Sequence, residues 1–223
     1  MIVVHHLNDS RSQRVLWLLE ELDLPYEIAH HARDATTRLA PPELTAVHPL
    51  GKSPVIQDDG LTVIESGAII DYIIRRHGGG RLQPALHSRD YDVYQQWLHY
   101  AEGSAMSPLL LKLIFDRVES GPMPFFAKPI ARAIARKVKE GFVIPQLKTH
   151  FDYMEAEIGR TGWFAGAAFS VADIQMSFPV EAAAARGVID ASKSGLMDYL
   201  DRIHARPAYR RALERGGEYA LLA

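Results

Sequence analysis

Cysteine is absent from the 223 residues of this chain. Its absence excludes disulfide bonds, thiolate metal sites and a nucleophile supplied by a cysteine of the protein itself. If thiol chemistry takes place at this protein, the sulfur atom must therefore come from a ligand.

Long apolar runs and an excess of one charge are absent as well. No stretch approaches the roughly 18 apolar residues of a transmembrane helix, so we expect no membrane span. Lys and Arg number 25 against 27 Asp and Glu, which leaves no basic stripe for a nucleic-acid partner. The chain enters an apolar run at once, without a charged leader and an apolar signal segment, and we therefore expect a cytoplasmic protein.

Two histidine pairs, His5-His6 and His30-His31, raise the question of a metal site. Adjacent residues of a strand point to opposite faces of the sheet, so neither pair can place both rings on one ion. We expect structural histidines and no bound metal.

The first 77 residues predict the order strand, helix, strand, helix, strand, strand, helix. The predicted strands are 2–4, 26–31 and a hairpin of 55–56 with 61–64 around Gly60. Such alternation is typical of a mixed sheet with helices packed on it. The run 78–80 is all glycine and 81–87 reads as a linker, which places the end of a first, α/β domain at residue 79.

Residues 88–223 predict helices alone, and so a second, all-α domain. A long helix is expected over 91–113, with others over 130–143, 147–158, 174–185, 196–205 and 209–213. Ser170 and Asp173 have the spacing of a capping box at the start of the apolar helix. We interpret this pair as structural and not as a catalytic acid.

The turn after the first strand carries Ser10, Ser12 and Gln13, where a strand ends and a helix begins. Hydroxyls, backbone N–H groups and the positive end of a helix dipole make such a place suited to an anion. Ser10 and Gln13 also have capping-box spacing, and the residues alone leave both interpretations open.

Two further segments could contribute to the same binding site as this turn. Ser53-Pro54 stands at the entry to a strand, where a cis peptide bond would leave the N–H and C=O groups of Ser53 free. Glu65-Ser66 opens a helix, with Ser66 placed as its cap, and offers a carboxylate, a hydroxyl and backbone N–H groups to a zwitterionic ligand.

Together these segments resemble a known family. A strand followed by Ser-x-x-x-Arg, the turn His48-Pro-Leu-Gly-Lys-Ser-Pro54 and the helix start Glu65-Ser-Gly67 resemble the thioredoxin-like domain of glutathione S-transferases. The Ser-x-x-Asp box of the helical domain matches the same family. Further stretches, among them 102–104, 120–125 and 172–179, are similar to the fungal GTT-type transferases and their bacterial relatives. The resemblance implies a mixed four-stranded sheet followed by an all-α domain.

The resemblance also implies roles for particular residues. Ser10 would donate a hydrogen bond to the glutathione sulfur, with Asn8, Ser12 or the backbone as alternatives. Pro54 would be the family's cis-proline. The residues implied to bind glutathione are His48, Lys52, Ser53, Pro54, Glu65, Ser66 and Glu102. Of these, Ser53 would hold the cysteinyl part, Glu65 and Ser66 the γ-glutamyl end, and Lys52 with His48 the glycyl carboxylate.

The second substrate would lie between the domains, against Leu7, Asn8, Met106 and Leu110. A homodimer is implied, since in the family a second subunit commonly closes the glutathione site. Glu102 is a candidate to reach across to the partner's bound glutathione.

The predicted activity is transfer of glutathione to small hydrophobic electrophiles, with reduction of organic hydroperoxides as a second activity. The alternative is a glutathione-binding or regulatory module that has kept the fold without turnover. A thiol-transferring role is disfavoured, because its mixed disulfide requires a cysteine of the protein.

Overall fold

A computed structural model describes residues 1–37 and 39–222, and within them it shows four strands and ten α-helices. The strands are β1 (Ile2–Leu7), β2 (Tyr26–His31), β3 (Val55–Asp58) and β4 (Leu61–Ile64), in the sheet order β2-β1-β3-β4. β1 runs parallel to β2 and antiparallel to β3, and β3 and β4 form the predicted hairpin. The mixed four-stranded sheet is confirmed.

Three helices accompany the sheet: α1 (Gln13–Glu21), α2 (Glu43–Val47) and α3 (Ser66–His77). The remaining helices are α4 (Arg89–Tyr100), α5 (Met106–Ser120), α6 (Lys128–Val138), α7 (Ile144–Thr161), α8 (Val171–Ala185), α9 (Ser194–His204) and α10 (Pro207–Gly216). The all-helical second region is therefore confirmed. None of the helices in the described residues combines the length and the apolar character that crossing a bilayer requires.

The single long helix predicted over 91–113 is wrong in one respect. One turn of π-helix, Ala101–Ala105, separates α4 from α5, and a second, Lys139–Val143, separates α6 from α7. An extra residue in one turn leaves the apolar spacing on either side intact, so the periodicity of the sequence does not show it. Single π turns occur often at functional sites, and the first of these two carries Glu102.

The starts of the helices confirm one of the three capping predictions and contradict the other two. α8 begins with the predicted box, in which the Ser170 hydroxyl and the Asp173 carboxylate each accept a backbone N–H of the other end. The two other capping interpretations are wrong. The Ser10 hydroxyl accepts from the Ser12 N–H and not from Gln13, and Ser66 is the first residue of α3, with Glu65 in the cap position.

α1 joins the two regions of the chain. Its residues from Gln13 to Glu20 are all buried, because the helix contacts β1 and α3 on one side and α8 and α10 on the other. Trp17 is fully buried and meets the ring of Tyr209 edge to face at 5.0 Å. The core thus continues from the sheet through α1 into the helical region.

Candidate functional site

A cavity of about 200 Å³, here called the central cavity, opens where the ends of β1 and β4 meet the starts of α1, β3 and α3. Its lining consists of Arg11, His48, Leu50, Lys52, Ser53, Pro54, Ile64, Glu65, Ser66 and Glu102. All seven residues that the sequence predicted to bind glutathione are in this set. Arg11 and Glu102, which are 91 positions apart in the sequence, are therefore brought to one place with these segments.

The wall formed by Ser53 and Pro54 has the expected geometry. The peptide bond between them is cis, which agrees with the sequence-based expectation. The Ser53 hydroxyl donates to the backbone carbonyl of His5 at 2.9 Å, which fixes this turn to the end of β1.

Glu65 has an unusual backbone conformation. Its φ of 67° lies in the left-handed region, which residues with a side chain rarely adopt. Its carbonyl accepts from the Ile69 N–H at 2.9 Å and so begins the hydrogen bonding of α3. Such conformations cost on the order of 1–3 kcal/mol and cluster at ligand-binding positions.

Arg14 connects the central cavity to the helical region. Its guanidinium, only 1% exposed, donates to the Ser66 hydroxyl at 3.0 Å, to Glu102 Oε1 at 2.5 Å and to the backbone carbonyl of Gln175 at 2.6 Å. Burial lowers the pKa of Arg14 below its ordinary value, and the Glu102 carboxylate opposes that change. One buried cation thus sets the positions of two cavity residues.

Glu102 lines the cavity of its own chain. Besides the contact with Arg14, its Oε2 accepts from Arg11 Nε at 2.8 Å. Burial alone would raise the pKa of Glu102, but Arg14 and Arg11 outweigh it and hold the pKa below its ordinary value. The carboxylate is therefore ionised at neutral pH. The prediction that Glu102 reaches a partner subunit's site stays a prediction.

Ser10 is not among the described residues that line the central cavity. It is 5% exposed, and its hydroxyl lies 2.7 Å from that of Ser12, which in turn lies 2.8 Å from His6 Nδ1. The Ser12 hydroxyl also lies 3.3 Å from the Leu7 carbonyl oxygen, and either serine can donate in the contact between the two hydroxyls. The Ser10 hydroxyl thus lies in a buried network with Ser12, outside the lining of the central cavity, and its predicted use at a sulfur atom stays a prediction.

Protonation of His6 should destabilise the fold. Burial, followed by repulsion from His30, lowers the pKa of His6 to about 4. Between about pH 6.5 and pH 4 the unfolded chain binds this proton and the folded one does not. The contribution of neutral His6 is complete above pH 6.5 and is lost as the pH falls through that window, for a total of about 3 kcal/mol. Urea unfolding of the wild type and of His6→Gln across this range measures it, and parallel pH profiles would contradict the assignment.

A second cavity, here called the arginine cavity, adjoins the first and measures about 430 Å³. Arg11 lines both cavities, so the two share a wall. The predicted electrophile residues Met106 and Leu110 line the arginine cavity, whereas Leu7 and Asn8 line neither of the two. Leu7 is buried at 3% exposure, and the Asn8 carbonyl and side chain accept from Arg33, which holds the segment after β2.

Sequence reasoning missed Arg11 and Arg14 as functional residues. Arg14 was noticed only as part of the family's Ser-x-x-x-Arg pattern and received no role. The available signal was the position of Arg14, four residues before Leu18 on an otherwise apolar face of α1 and three residues after Arg11 in the preceding turn. A buried arginine on such a face needs an acidic partner, and no local pattern identifies Glu102, 88 positions away from Arg14.

Histidines 5, 6, 30 and 31 pair with each other and with polar neighbours. His5 Nδ1 lies 3.1 Å from His31 Nε2 and His5 Nε2 lies 3.2 Å from Gln57 Oε1, while His6 and His30 meet edge to face. Among the described residues no group of three or more His, Asp or Glu side chains is arranged to hold a metal ion.

Sequence similarity to known proteins agrees with the interpretation of the site geometry. Residues 1–75 match the family model described as "Glutathione S-transferase, N-terminal domain". The chain is 34% identical to Glutathione S-transferase 3 of Schizosaccharomyces pombe over 96% of this chain and 88% of that one. It is 39% identical to Glutathione S-transferase 1 of Saccharomyces cerevisiae over 82% and 81%.

A solved structure is also similar over almost the whole chain. A glutathione S-transferase from Actinobacillus pleuropneumoniae superposes with a TM-score of 0.83 at 32% identity, covering 99% of this chain and 94% of that one. The resemblance to fungal transferases and their bacterial relatives is confirmed, and the chain belongs to the glutathione S-transferase family.

Proposed function

We propose that the protein is an active glutathione transferase that binds glutathione in the central cavity and an electrophile in the arginine cavity. The observation that carries the proposal is the charge pattern of the central cavity. Two carboxylates, Glu65 and Glu102, line it together with the basic side chains of Arg11, His48 and Lys52. Glutathione carries one ammonium and two carboxylates, and this set can pair with each of them.

The positions of these groups suggest how glutathione lies. Its α-ammonium would meet Glu65 and Glu102, and its glycyl carboxylate would meet Lys52 and His48. The Ser66 hydroxyl already accepts from Arg14, so its own proton is available to the α-carboxylate at the N-terminus of α3. The backbone of Ser53 would hold the cysteinyl part.

Activation of the thiol requires a preference for its anion. A free thiol has a pKa of about 8.5, and lowering it by about two units takes roughly 2.7 kcal/mol. A hydrogen bond to a charged group supplies about 1.5–3 kcal/mol and a helix N-terminus about 0.3–1. Ser10 stays our proposed donor, with Asn8, Ser12 and the backbone as alternatives. Arg11, on the wall between the two cavities, is a further candidate that the structure adds.

The thiolate would then attack an electrophilic carbon, which forms a C–S bond. With an activated alkene the resulting carbanion takes a proton from water, and with a halide the halide ion leaves. Reduction of an organic hydroperoxide is the proposed second activity: two glutathione molecules give the disulfide, the alcohol and one water.

A homodimer and a cytoplasmic location complete the proposal. A third cavity, of about 660 Å³, lies on α3 and α4 and shares Glu65 and Glu102 with the central cavity. A second copy of the chain seated there would close the glutathione site from outside.

Titration of bound glutathione, followed by the ultraviolet absorbance of its thiolate, tests the proposal. In the wild type we expect a thiol pKa about two units below 8.5. Ser10→Ala should return it toward 8.5 if the hydroxyl donates to the sulfur. Arg11→Gln should do so if the guanidinium acts, with Arg11→Lys retaining the effect.

Arg132→Gln serves as the matched control, because Arg132 is exposed on α6, outside the cavities described above. A pKa that moves only in Arg11→Gln would transfer the role from Ser10 to Arg11. Glutathione that binds with an ordinary thiol pKa would favour the non-catalytic binding module, and failure to bind glutathione would overturn the proposal.

A further inference from the structure

The arginine cavity is a mixed surface of apolar and cationic groups. Met106, Leu110, Leu113 and Phe178 supply apolar area, as the site of a hydrophobic electrophile requires. Arg11, Arg33, Arg117 and Arg186 add four guanidinium groups to the same lining. Binding of neutral apolar compounds alone does not require four guanidinium groups in a cavity.

The acidic side chains do not balance these cations. Asp9 is the one carboxylate among the described residues lining the cavity. Its oxygens accept from the Asn8 amide at 3.2 Å and from the Ala220 N–H at 2.8 Å. Arg11 is engaged by Glu102, and Arg33 donates to the backbone carbonyls of Asn8 and Asp9.

Arg117 and Arg186 differ from the other two. In the described part of the chain neither side chain has a hydrogen-bond or ion-pair partner. Arg186 is half-buried at the end of α8, and Arg117 is exposed on α5. Burial, followed by the repulsion of Arg117 and Arg11, lowers the pKa of Arg186 below its ordinary value. The charges acting on this guanidinium are therefore cations, and a partly buried charge without a counterion is costly.

We propose that the arginine cavity selects anionic electrophiles, in which an apolar body carries a carboxylate placed away from the reacting carbon. This inference rests on the proposed transferase function and specifies its substrate class. The carboxylate would be held by Arg117 and Arg186, since guanidinium groups bind carboxylates through paired hydrogen bonds. The apolar body would lie on Phe178 and Met106. The reacting carbon would then point to the Arg11 wall, beyond which the glutathione thiol lies.

The reaction with such a substrate is a simple addition. The glutathione thiolate forms a C–S bond to the β-carbon of an α,β-unsaturated ketone, the C=C electrons move to the carbonyl as an enolate, and the enolate takes one proton from water. The remote carboxylate stays unchanged throughout, so it affects binding and orientation but not the intrinsic reactivity of the alkene.

A matched pair of electrophiles tests the inference. The first is an aryl vinyl ketone with an oxyacetic acid group para to the ketone, and the second is its methyl ester. Steady-state kcat/KM with glutathione is divided by the uncatalysed rate constant of each compound. One charge-assisted hydrogen bond is worth enough to predict a preference for the acid of about tenfold or more.

Variants assign the preference to the two unpartnered arginines. Arg186→Gln and Arg117→Gln should each reduce the ratio of acid to ester several-fold, and Arg186→Lys should retain most of it. Arg132→Gln is the matched control for the loss of one positive charge on the helical region, and its ratio should equal that of the wild type. An equal loss in Arg132→Gln would mean that net charge, and not the cavity, sets the preference.

Binding of the two glutathione conjugates, measured by calorimetry, separates this inference from the function on which it rests. Turnover of both compounds with an acid-to-ester ratio near one would overturn the selection of anions and leave the transferase standing. Glutathione binding without turnover of either compound would overturn the transferase. Tighter binding of the acid conjugate than of the ester conjugate, lost in Arg186→Gln, would still support the anion site in that case.

Discussion

Replacing Arg14 by Met should lower the free energy of unfolding by about 3–5 kcal/mol, the usual cost of removing one partner of a buried ion pair. The change leaves the Ser66 hydroxyl and the Gln175 carbonyl without their donor and leaves Glu102 with Arg11 alone. Methionine fills a similar volume, so the lost polar contacts and not an empty space would dominate the effect.

Urea unfolding at pH 7 and one fixed protein concentration measures this effect. Arg132→Met is the control, because an exposed arginine on α6 should change stability by less than about 0.5 kcal/mol. Arg14→Lys keeps the charge but loses the planar fork, and we expect an intermediate loss. Glutathione affinity should fall with stability in both Arg14 variants, since Arg14 positions Ser66 and Glu102. An unfolding midpoint equal to that of the wild type would show that the network does not support the fold.

Replacing Asp173 by Ala should cost about 3 kcal/mol, which exceeds the usual value for a helix cap. Asp173 is fully buried and accepts from the Phe164 N–H and the Ser170 N–H, each at 2.8 Å. Both donors would remain buried without an acceptor, and the Ser170 hydroxyl, 3.2 Å from the carboxylate, would lose a partner as well.

Asp173→Asn provides the matched comparison of equal size. Its amide NH₂ would face one of the two backbone N–H donors, so only one of the bonds survives and the loss should lie between the wild type and Ala. Asp198→Ala is the surface control, because its ion pair with Arg202 is exposed and worth less than about 1 kcal/mol. Urea unfolding measures these changes in the free energy of unfolding. A loss in Asp173→Ala no greater than that in Asp198→Ala would mean that the two backbone N–H donors find other partners.

The order of strands and helices could be predicted from the sequence, because it depends on local patterns. The alternation from Tyr26 and the glycine turn between β3 and β4 identify strands, and the box of Ser170 and Asp173 identifies a helix start. Each of these signals spans a few residues. The residues around the central cavity were found by family resemblance, since their spacing alone allowed simple capping and an ordinary proline.

The direction of polar side chains could not be predicted in the same way. Ser66 was predicted to cap α3, yet it is the first residue of that helix and its hydroxyl accepts from Arg14, 52 residues earlier in the chain. Ser10 has capping-box spacing with Gln13 and a resemblance-based role at a sulfur atom, yet its hydroxyl contacts that of Ser12, which in turn contacts His6. In each case the path of the backbone decides which group the hydroxyl contacts, and the spacing that suggested a cap does not identify that group.

The distribution of charge around the arginine cavity could not be predicted from the sequence either. Arg11, Arg33, Arg117 and Arg186 come from the turn before α1, the segment after β2, α5 and the end of α8. The net charge of −2 gave no sign that they converge. Composition reports the sum of charges, whereas recognition of a ligand depends on where they meet.

Because α1 contacts both regions of the chain, its position limits which segments this protein and a relative could exchange by recombination. The proposed boundary between residues 79 and 88 separates an α/β architecture from a helical one, but the contacts of α1 cross it. Glu20 pairs with Arg211 and Arg215, and Glu21 pairs with Arg206 in a bidentate contact. A chimera that joins residues 1–79 of this chain to the helices of a relative would place the buried Glu20 and the half-buried Glu21 against foreign partners.

Recombination at the linker would therefore separate side chains that form ion pairs with each other. Point changes on α5 and α8 that face the arginine cavity carry no such restriction, because Arg117 and Arg186 have no ion-pair partner within the described residues. New substrate preferences in this lineage can accordingly arise by single substitutions at the cavity, whereas the α1 contacts must change in matched pairs.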